Sequence, residues 1–190
     1  MPRTSFVPRE FPLRATAPAF VPRRSTLRAD APSFVPRSSF HIQPRQRIYF
    51  CPRKEDQYYG FTNWAPHRVK YNDKEYPTSE HLFQAFKYID NRPDIAEMIR
   101  TVSKSSREAF KCSMAHKANQ HPDWERMKVS KMEIALWHKF SQNKDLKLKL
   151  LGTGDAELIN YTDEEFWGVG KGRNELGNVL ERVRSSLRGS

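Results

Sequence analysis

The chain has 190 residues, enough for one domain of ordinary size, and carries a net charge of +11. Its two cysteines, Cys51 and Cys112, exclude a disulfide framework and a cysteine metal site, and imply a reduced compartment. No segment approaches the ~18 consecutive apolar residues of a membrane-spanning helix, so a membrane protein is excluded at this level.

The charge is uneven. Residues 1–47 hold nine Arg, no Lys and two acids, and so carry +7, which leaves +4 for residues 48–190. Eight of the thirteen prolines fall in the same segment, a density that prevents helix and sheet where little apolar surface is available to bury. Residues 1–47 are therefore read as a disordered arm and 48–190 as the folded domain. The Arg-rich, acid-poor start has the composition of a mitochondrial presequence, but Pro2, Pro8 and Pro12 break the amphipathic helix such a signal needs. A cytoplasmic location is the expectation.

The arm repeats itself. Ser5-Phe6-Val7-Pro8-Arg9 recurs at Ala19-Phe20-Val21-Pro22-Arg23 and at Ser33-Phe34-Val35-Pro36-Arg37, fourteen residues apart each time. Composition alone gives no reason for a fixed period. Repeated linear motifs do, because several weak docking sites on one chain raise avidity through effective concentration. The second and third copies share an upstream half, Leu13-Arg14-Ala15 and Leu27-Arg28-Ala29. This pattern resembles the peptide that docks on the MLLE domain of poly(A)-binding protein, a Leu followed by an Ala-x-x-Phe-x-Pro core. The resemblance implies that Phe20 and Phe34 fill an apolar pocket, with Leu13 and Leu27 as second anchors. The motif usually has Asn after its Leu, where Arg14 and Arg28 stand here. The alternative is a basic arm that coats phosphates.

Beyond the arm, Ile48-Tyr49-Phe50 reads as a short strand. Val69–Tyr71 and Glu75–Tyr76 flank the turn pair Asn72-Asp73, which predicts a hairpin. Helices follow: Ser79–Ile89, a segment opening at Pro93 with Ile95, Met98, Ile99 and Val102 on one face, and Ser106–Ala118 behind a Ser105/Glu108 capping box. Asp123 is positioned to cap a long helix over Trp124–Ser141, with Trp137 expected in the core. Leu146–Leu151 is a short helix stopped by Gly152, Glu157–Tyr161 a strand, and 175–187 the last helix. The fold class is α+β, predominantly helical.

Two clusters carry chemistry. In the first helix Glu80, Gln84 and Lys87 stand at i, i+4 and i+7, so a carboxylate, an amide and an amine share one face. A solvated helix face has the same pattern. The second cluster is the loop Trp167-Gly168-Val169-Gly170-Lys171-Gly172-Arg173-Asn174, which runs into the last helix. Glycines let backbone N–H groups approach a ligand, and a helix N-terminus attracts anions. The loop reads either as a phosphate cradle with Lys171 or as a flexible segment capped by Asn174. Trp64 and Trp167 are placed to stack on a base. Asp163 is read as orienting a ribose or activating a water, or else as a plain cap.

These stretches, in this order, resemble the NADAR (YbiA-like) family. The resemblance runs through Phe61-Thr62-Asn63-Trp64-Ala65-Pro66, Tyr76-Pro77-Thr78-Ser79-Glu80-His81-Leu82-Phe83-Gln84-Ala85-Phe86-Lys87 and Pro122-Asp123-Trp124. It continues through Lys139-Phe140-Ser141-Gln142-Asn143, Leu151-Gly152-Thr153-Gly154-Asp155, Phe166-Trp167-Gly168-Val169-Gly170 and Asn174-x-Leu176-Gly177. It covers about 140 residues and leaves out the arm. It implies hydrolysis of a bond between ribose C1 and nitrogen, in ADP-ribosylated guanine bases or in phosphorylated ribosylaminopyrimidine intermediates of riboflavin synthesis. Glu80 and Lys87 are then at the reactive centre with Asp163, and Asn63, Trp64, Gln84, Trp124, Trp167, Gly168, Gly170, Lys171 and Asn174 are candidates to hold the ligand. No cofactor and no metal are expected. A Gly-Arg pair common in the family ahead of Pro-Asp-Trp is replaced by Ala115-His116-Lys117-Ala118-Asn119, so Lys117 or His116 must replace the Arg fork. A non-catalytic ADP-ribose reader tethered by its arm is the competing class.

Overall fold

A computed structural model describes residues 44–170 and 172–189. The arm residues Leu13, Phe20, Leu27 and Phe34, and Lys171 of the glycine loop, lie outside the described residues. Element order is β1 (Arg47–Phe50), β2 (Val69–Tyr71), β3 (Lys74–Tyr76), α1 (Ser79–Ala85), α2 (Pro93–Thr101), α3 (Ser106–Ala115), α4 (Trp124–Gln142), α5 (Lys144–Gly152), β4 (Glu157–Asn160) and α6 (Glu175–Arg188). Single 3-10 turns stand at Tyr59–Phe61 and Lys117–Asn119. The domain is α+β and predominantly helical, as the periodicities predict.

The strands form two separate pairs. β1 and β4 run parallel, with Ile48 opposite Leu158 and Phe50 opposite Asn160. β2 and β3 are the predicted hairpin, turned by Asn72 and Asp73 at φ 46° and 60°, the double left-handed geometry of a type I′ turn. The helices surround α1, all seven residues of which are buried, and α1 packs on α2, α3 and α4. Phe50, Phe61, Leu82, Phe86, Leu136, Phe140, Leu158 and Leu180 belong to one continuous core.

Several local expectations are corrected. α1 ends at Ala85 rather than Ile89, because the chain tightens there into i→i−3 bonds, Lys87 N to Gln84 O and Tyr88 N to Ala85 O. The buried Tyr88 hydroxyl donates to Ser113 O at 2.7 Å and anchors that turn to α3. The capping box is not formed. Ser105 makes no side-chain cap bond, and Ser106 instead has its hydroxyl on Trp64 O and within 3.0 Å of the Thr78 hydroxyl. Asp123 likewise makes no side-chain cap bond. Trp137 is 41% exposed, since the buried stripe of α4 runs through Met132, Ala135, Leu136, Lys139 and Phe140 and leaves Trp137 beside it.

α6 closes the core by lying on β4, and Gly177 sets the distance. A Cβ at this position would stand 2.0 Å from Leu158 O, a backbone atom that cannot swing aside. Gly177→Ala is therefore expected to destabilise the domain by about 3 kcal/mol or more, the upper part of the range for an overpacked core. Urea denaturation measures it, and a parent-like midpoint would contradict this packing.

Candidate active site

Thr78 starts α1 by accepting the amide of His81 on its side chain, which places Glu80 in the first turn, where the helix dipole favours a carboxylate. Glu80 is 5% exposed. Its two oxygens are gripped separately: Gln84 Nε2 donates to Oε1 at 2.7 Å and Asn63 Nδ2 to Oε2 at 3.3 Å. The Glu80 amide in turn donates to Asn63 O, and the Ser79 hydroxyl donates to Asn63 Oδ1 at 3.2 Å. Burial holds the Glu80 carboxyl above the ordinary range. The Gln84 amide, the Lys87 ammonium and the Asn63 amide oppose that shift, while the Glu164 carboxylate adds to it.

The Thr62–Asn63 segment that grips Glu80 is itself held from α4. Lys139 is fully buried, and its ammonium donates to Thr62 O at 2.6 Å. Burial lowers its pKa to about 7. His67 nearby is also lowered, by burial first and by Lys139 second.

Lys87 lies one turn beyond Gln84, 9% exposed, with Nζ 5.5 Å from the centre of the Trp124 ring. Burial lowers its pKa, Glu80 and Glu125 raise it, and Lys117 lowers it further. Lys117, which stands where the family's Arg is expected, is thus close enough to act on the Lys87 amine. His116 is turned away, its ring nitrogen 2.9 Å from Cys112 O.

Asn63, Glu80 and Gln84 open on a cavity of about 420 Å³ between α1, α4 and the β4–α6 loop. Trp64, Phe83, Phe110 and Trp167 form its aromatic walls, and Asn63, Glu80, Gln84, Asn160, Thr162 and Glu164 its polar groups. Trp167 meets Phe83 edge to face at 5.5 Å, and Phe83 leans on Trp124 at 5.2 Å. A flat base enclosed by aromatic rings, with a ribose reaching the buried carboxylate, fits such a site. Hollows on the outer α4–α6 face, lined by Glu133, Trp137 and Arg182, lie away from Glu80. Among the described residues no group of three His, Cys, Asp or Glu side chains is arranged to hold a metal ion.

Of the residues singled out from sequence, Asn63, Trp64, Glu80, Gln84 and Trp167 share the cavity wall. Lys87 and Trp124 stand together behind it. The glycine loop packs tightly on the turn that precedes it. A Cβ on Gly168 would fall 2.1 Å from Thr162 Oγ1, and one on Gly170 2.8 Å from Asp163 O, so both positions are small to let the loop close on residues 162–164. Asn174 is consumed structurally: its Nδ2 donates to Leu158 O at 2.7 Å and its Oδ1 accepts from Asn160 N at 2.9 Å. Asp163 and Glu164 are both exposed, and of the two only Glu164 lines the cavity. Sequence reading missed Glu164, Phe110 and Thr162. In the polar run Thr162-Asp163-Glu164-Glu165 no periodicity marks the inward residue.

The site is thus a buried carboxyl on one aromatic cavity, with a buried lysine one turn beyond Gln84, in a helical α+β fold. The NADAR domain model matches residues 49–188, and the chain belongs to the NADAR family. It is 38% identical over 136 residues to N-glycosidase YbiA of Escherichia coli strain K12, covering 70% of this chain and 83% of that protein. It is 32% identical to N-glycosidase Npun_R5314 of Nostoc punctiforme, covering 74% of this chain and 92% of that protein. The riboflavin biosynthesis protein VVA0006 of Vibrio vulnificus is 36% identical, over 75% of this chain but 39% of that protein. The NMR structure of E. coli YbiA superimposes with a TM-score of 0.68 at 34% identity, covering 78% of this chain and 88% of that one.

The Lys139 anchor has a pH signature. Between about 7 and its ordinary 10.5, the unfolded chain holds a proton that the folded chain has released. Folding stability therefore rises with pH through that window and gains no slope from Lys139 below it. Lys139→Met should remove this slope, measured as denaturation midpoints between pH 7 and 10; an unchanged profile would contradict the assignment.

Proposed function

We propose that the chain is an N-glycosidase that breaks a ribose C1–nitrogen bond, and that its substrate is an ADP-ribosylated guanine base from which it releases ADP-ribose. The observation that carries the reading is Glu80, a carboxylate buried on an aromatic cavity, gripped by two amides and flanked by a buried lysine. As the C–N bond lengthens, C1 gains oxocarbenium character. A fixed carboxylate beside it stabilises that charge and can accept a proton from the attacking water. The relatives named as N-glycosidases support the chemistry.

Lys87 supports a covalent variant of the same reaction. A lysine whose pKa is lowered by burial presents some neutral amine at ordinary pH, and this can attack C1 of the opened sugar to form a Schiff base that water later hydrolyses. Borohydride reduction during turnover is expected to leave a sugar adduct on Lys87, seen by peptide mass spectrometry. An active enzyme that gives no adduct rules this route out and leaves direct attack by water.

The choice of substrate rests on the arm. Repeated motifs resembling poly(A)-binding-protein ligands would bring a cytoplasmic domain to RNA, where a modified base is a sensible target. A soluble riboflavin precursor gives no reason for such motifs. The second reading, a phosphorylated ribosylaminopyrimidine substrate, is favoured by the relatives named as riboflavin biosynthesis proteins.

The test is product analysis by mass spectrometry of the full chain with ADP-ribosylated guanosine and, separately, a ribosylaminopyrimidine phosphate. Release of free ADP-ribose, lost in Glu80→Gln by a factor of at least about 100, is the expected result. Release only from the ribosylaminopyrimidine would assign the second substrate. ADP-ribose binding without release from either would make the domain a reader.

A further inference from the structure

One carboxylate does not complete the reaction. The departing nitrogen of a neutral base leaves as an anion unless it is protonated, and one carboxyl cannot both give that proton and take one from the attacking water in the same step. We propose that Glu164 is the second catalytic carboxylate of this site, giving its proton to the departing nitrogen while Glu80 works at ribose C1. The proposal rests on the N-glycosidase reading above.

Three observations support it. Glu164 lines the same cavity as Glu80 and still reaches solvent, so it stands at the mouth, where a proton spent in one turnover can be replaced from water. Among the described residues no donor reaches its carboxyl, whereas both oxygens of Glu80 are engaged. Desolvation raises the Glu164 carboxyl above its ordinary value, as it does the Glu80 carboxyl. The Glu164 carboxylate also raises the Glu80 carboxyl, so the two acids belong to one electrostatic site.

The second observation is how Glu164 is held. The chain leaves β4 at Asn160 and turns through Thr162, Asp163 and Glu164, and the glycine loop then closes on this turn. Gly168 N donates to Glu164 O at 3.0 Å and Gly170 N to Thr162 O at 3.1 Å. No side chain fits at residue 168 or 170 against that backbone. The loop fixes an acid over the cavity, and Asp163 takes the outward place in the same turn.

The third observation is a vacant acceptor. Gln84 is 3% exposed and lines the cavity, and with its amide nitrogen committed to Glu80 its Oε1 has no hydrogen-bond partner. A buried amide oxygen left unpaired on the cavity wall implies a ligand that brings a donor, as the hydroxyls of ribose or the N–H groups of a base do.

The steps balance. The Glu164 carboxylic acid gives its proton to the base nitrogen as the C1–N bond breaks, and the bonding pair leaves with the nitrogen. Water adds its oxygen to C1 and releases a proton to the Glu80 carboxylate. Products are a base bearing N–H and a sugar bearing a C1 hydroxyl. Glu80 then loses its proton and Glu164 regains one from solvent.

The experiment measures steady-state rates of the full chain and of Glu164→Gln and Glu164→Ala on both substrates named above, with ADP-ribose binding by calorimetry as the control for folding. Expected are a fall in kcat of about 100-fold or more on whichever substrate the parent cleaves, KM and ADP-ribose affinity within a few-fold of the parent, and partial rescue of Glu164→Ala by added acetic acid. Parent-like turnover by Glu164→Gln overturns the proposal and leaves the N-glycosidase reading intact. If the parent cleaves neither substrate, the reading and the proposal fall together.

Discussion

The structure around the cavity depends on one interaction, the double grip on a buried carboxylate. A carboxyl taken out of water is costly unless its oxygens find hydrogen-bond partners. Gln84 and Asn63 supply those donors to Glu80. Asn63 can do so because Ser79 and the Glu80 amide hold it from one side, and because Lys139 pins the preceding carbonyl from the other. A buried lysine in α4 thereby acts on the acid in α1 through two residues of loop. Removing any link leaves a charge without its partner, so the positioning of the site and the stability of the core are one problem.

The glycine-rich segment shows how the same residues serve different ends in sequence and in space. Glycines before a helix are the usual material of an anion site. Here Gly168 and Gly170 are small because backbone lies against them, and Asn174 is spent tying β4 to α6. Asn174 takes the left-handed conformation, φ 46°, that asparagine tolerates better than most side chains. The loop's contribution is close packing beside the cavity, which keeps Glu164 on its wall and Trp167 against Phe83.

Much of the fold was legible because it is periodic. The apolar stripes of α2, α4 and α6 fix those helices to within a residue or two, and Asn72-Asp73 announces its hairpin. The Glu80–Gln84 pair was legible because a helix places i and i+4 together, and the structure confirms the bond between them. What could not be read was anything set by contact between distant segments. Trp137 is the example in the core: its hydrophobicity says buried, yet the helix turns it outward. Asp163 and Glu164 are the example in the site. They are adjacent acids in an irregular turn, and only the closure of residues 168–170 decides which one faces the cavity.

The central claim is that the chemistry happens in the cavity under Glu80. A crystal structure of Glu80→Gln with uncleaved ADP-ribosylated guanosine tests it most directly. The predicted result places ribose C1 against residue 80, with the base among Trp64, Phe83 and Trp167. A ligand seated instead on the outer α4–α6 face, with the cavity empty, would contradict it.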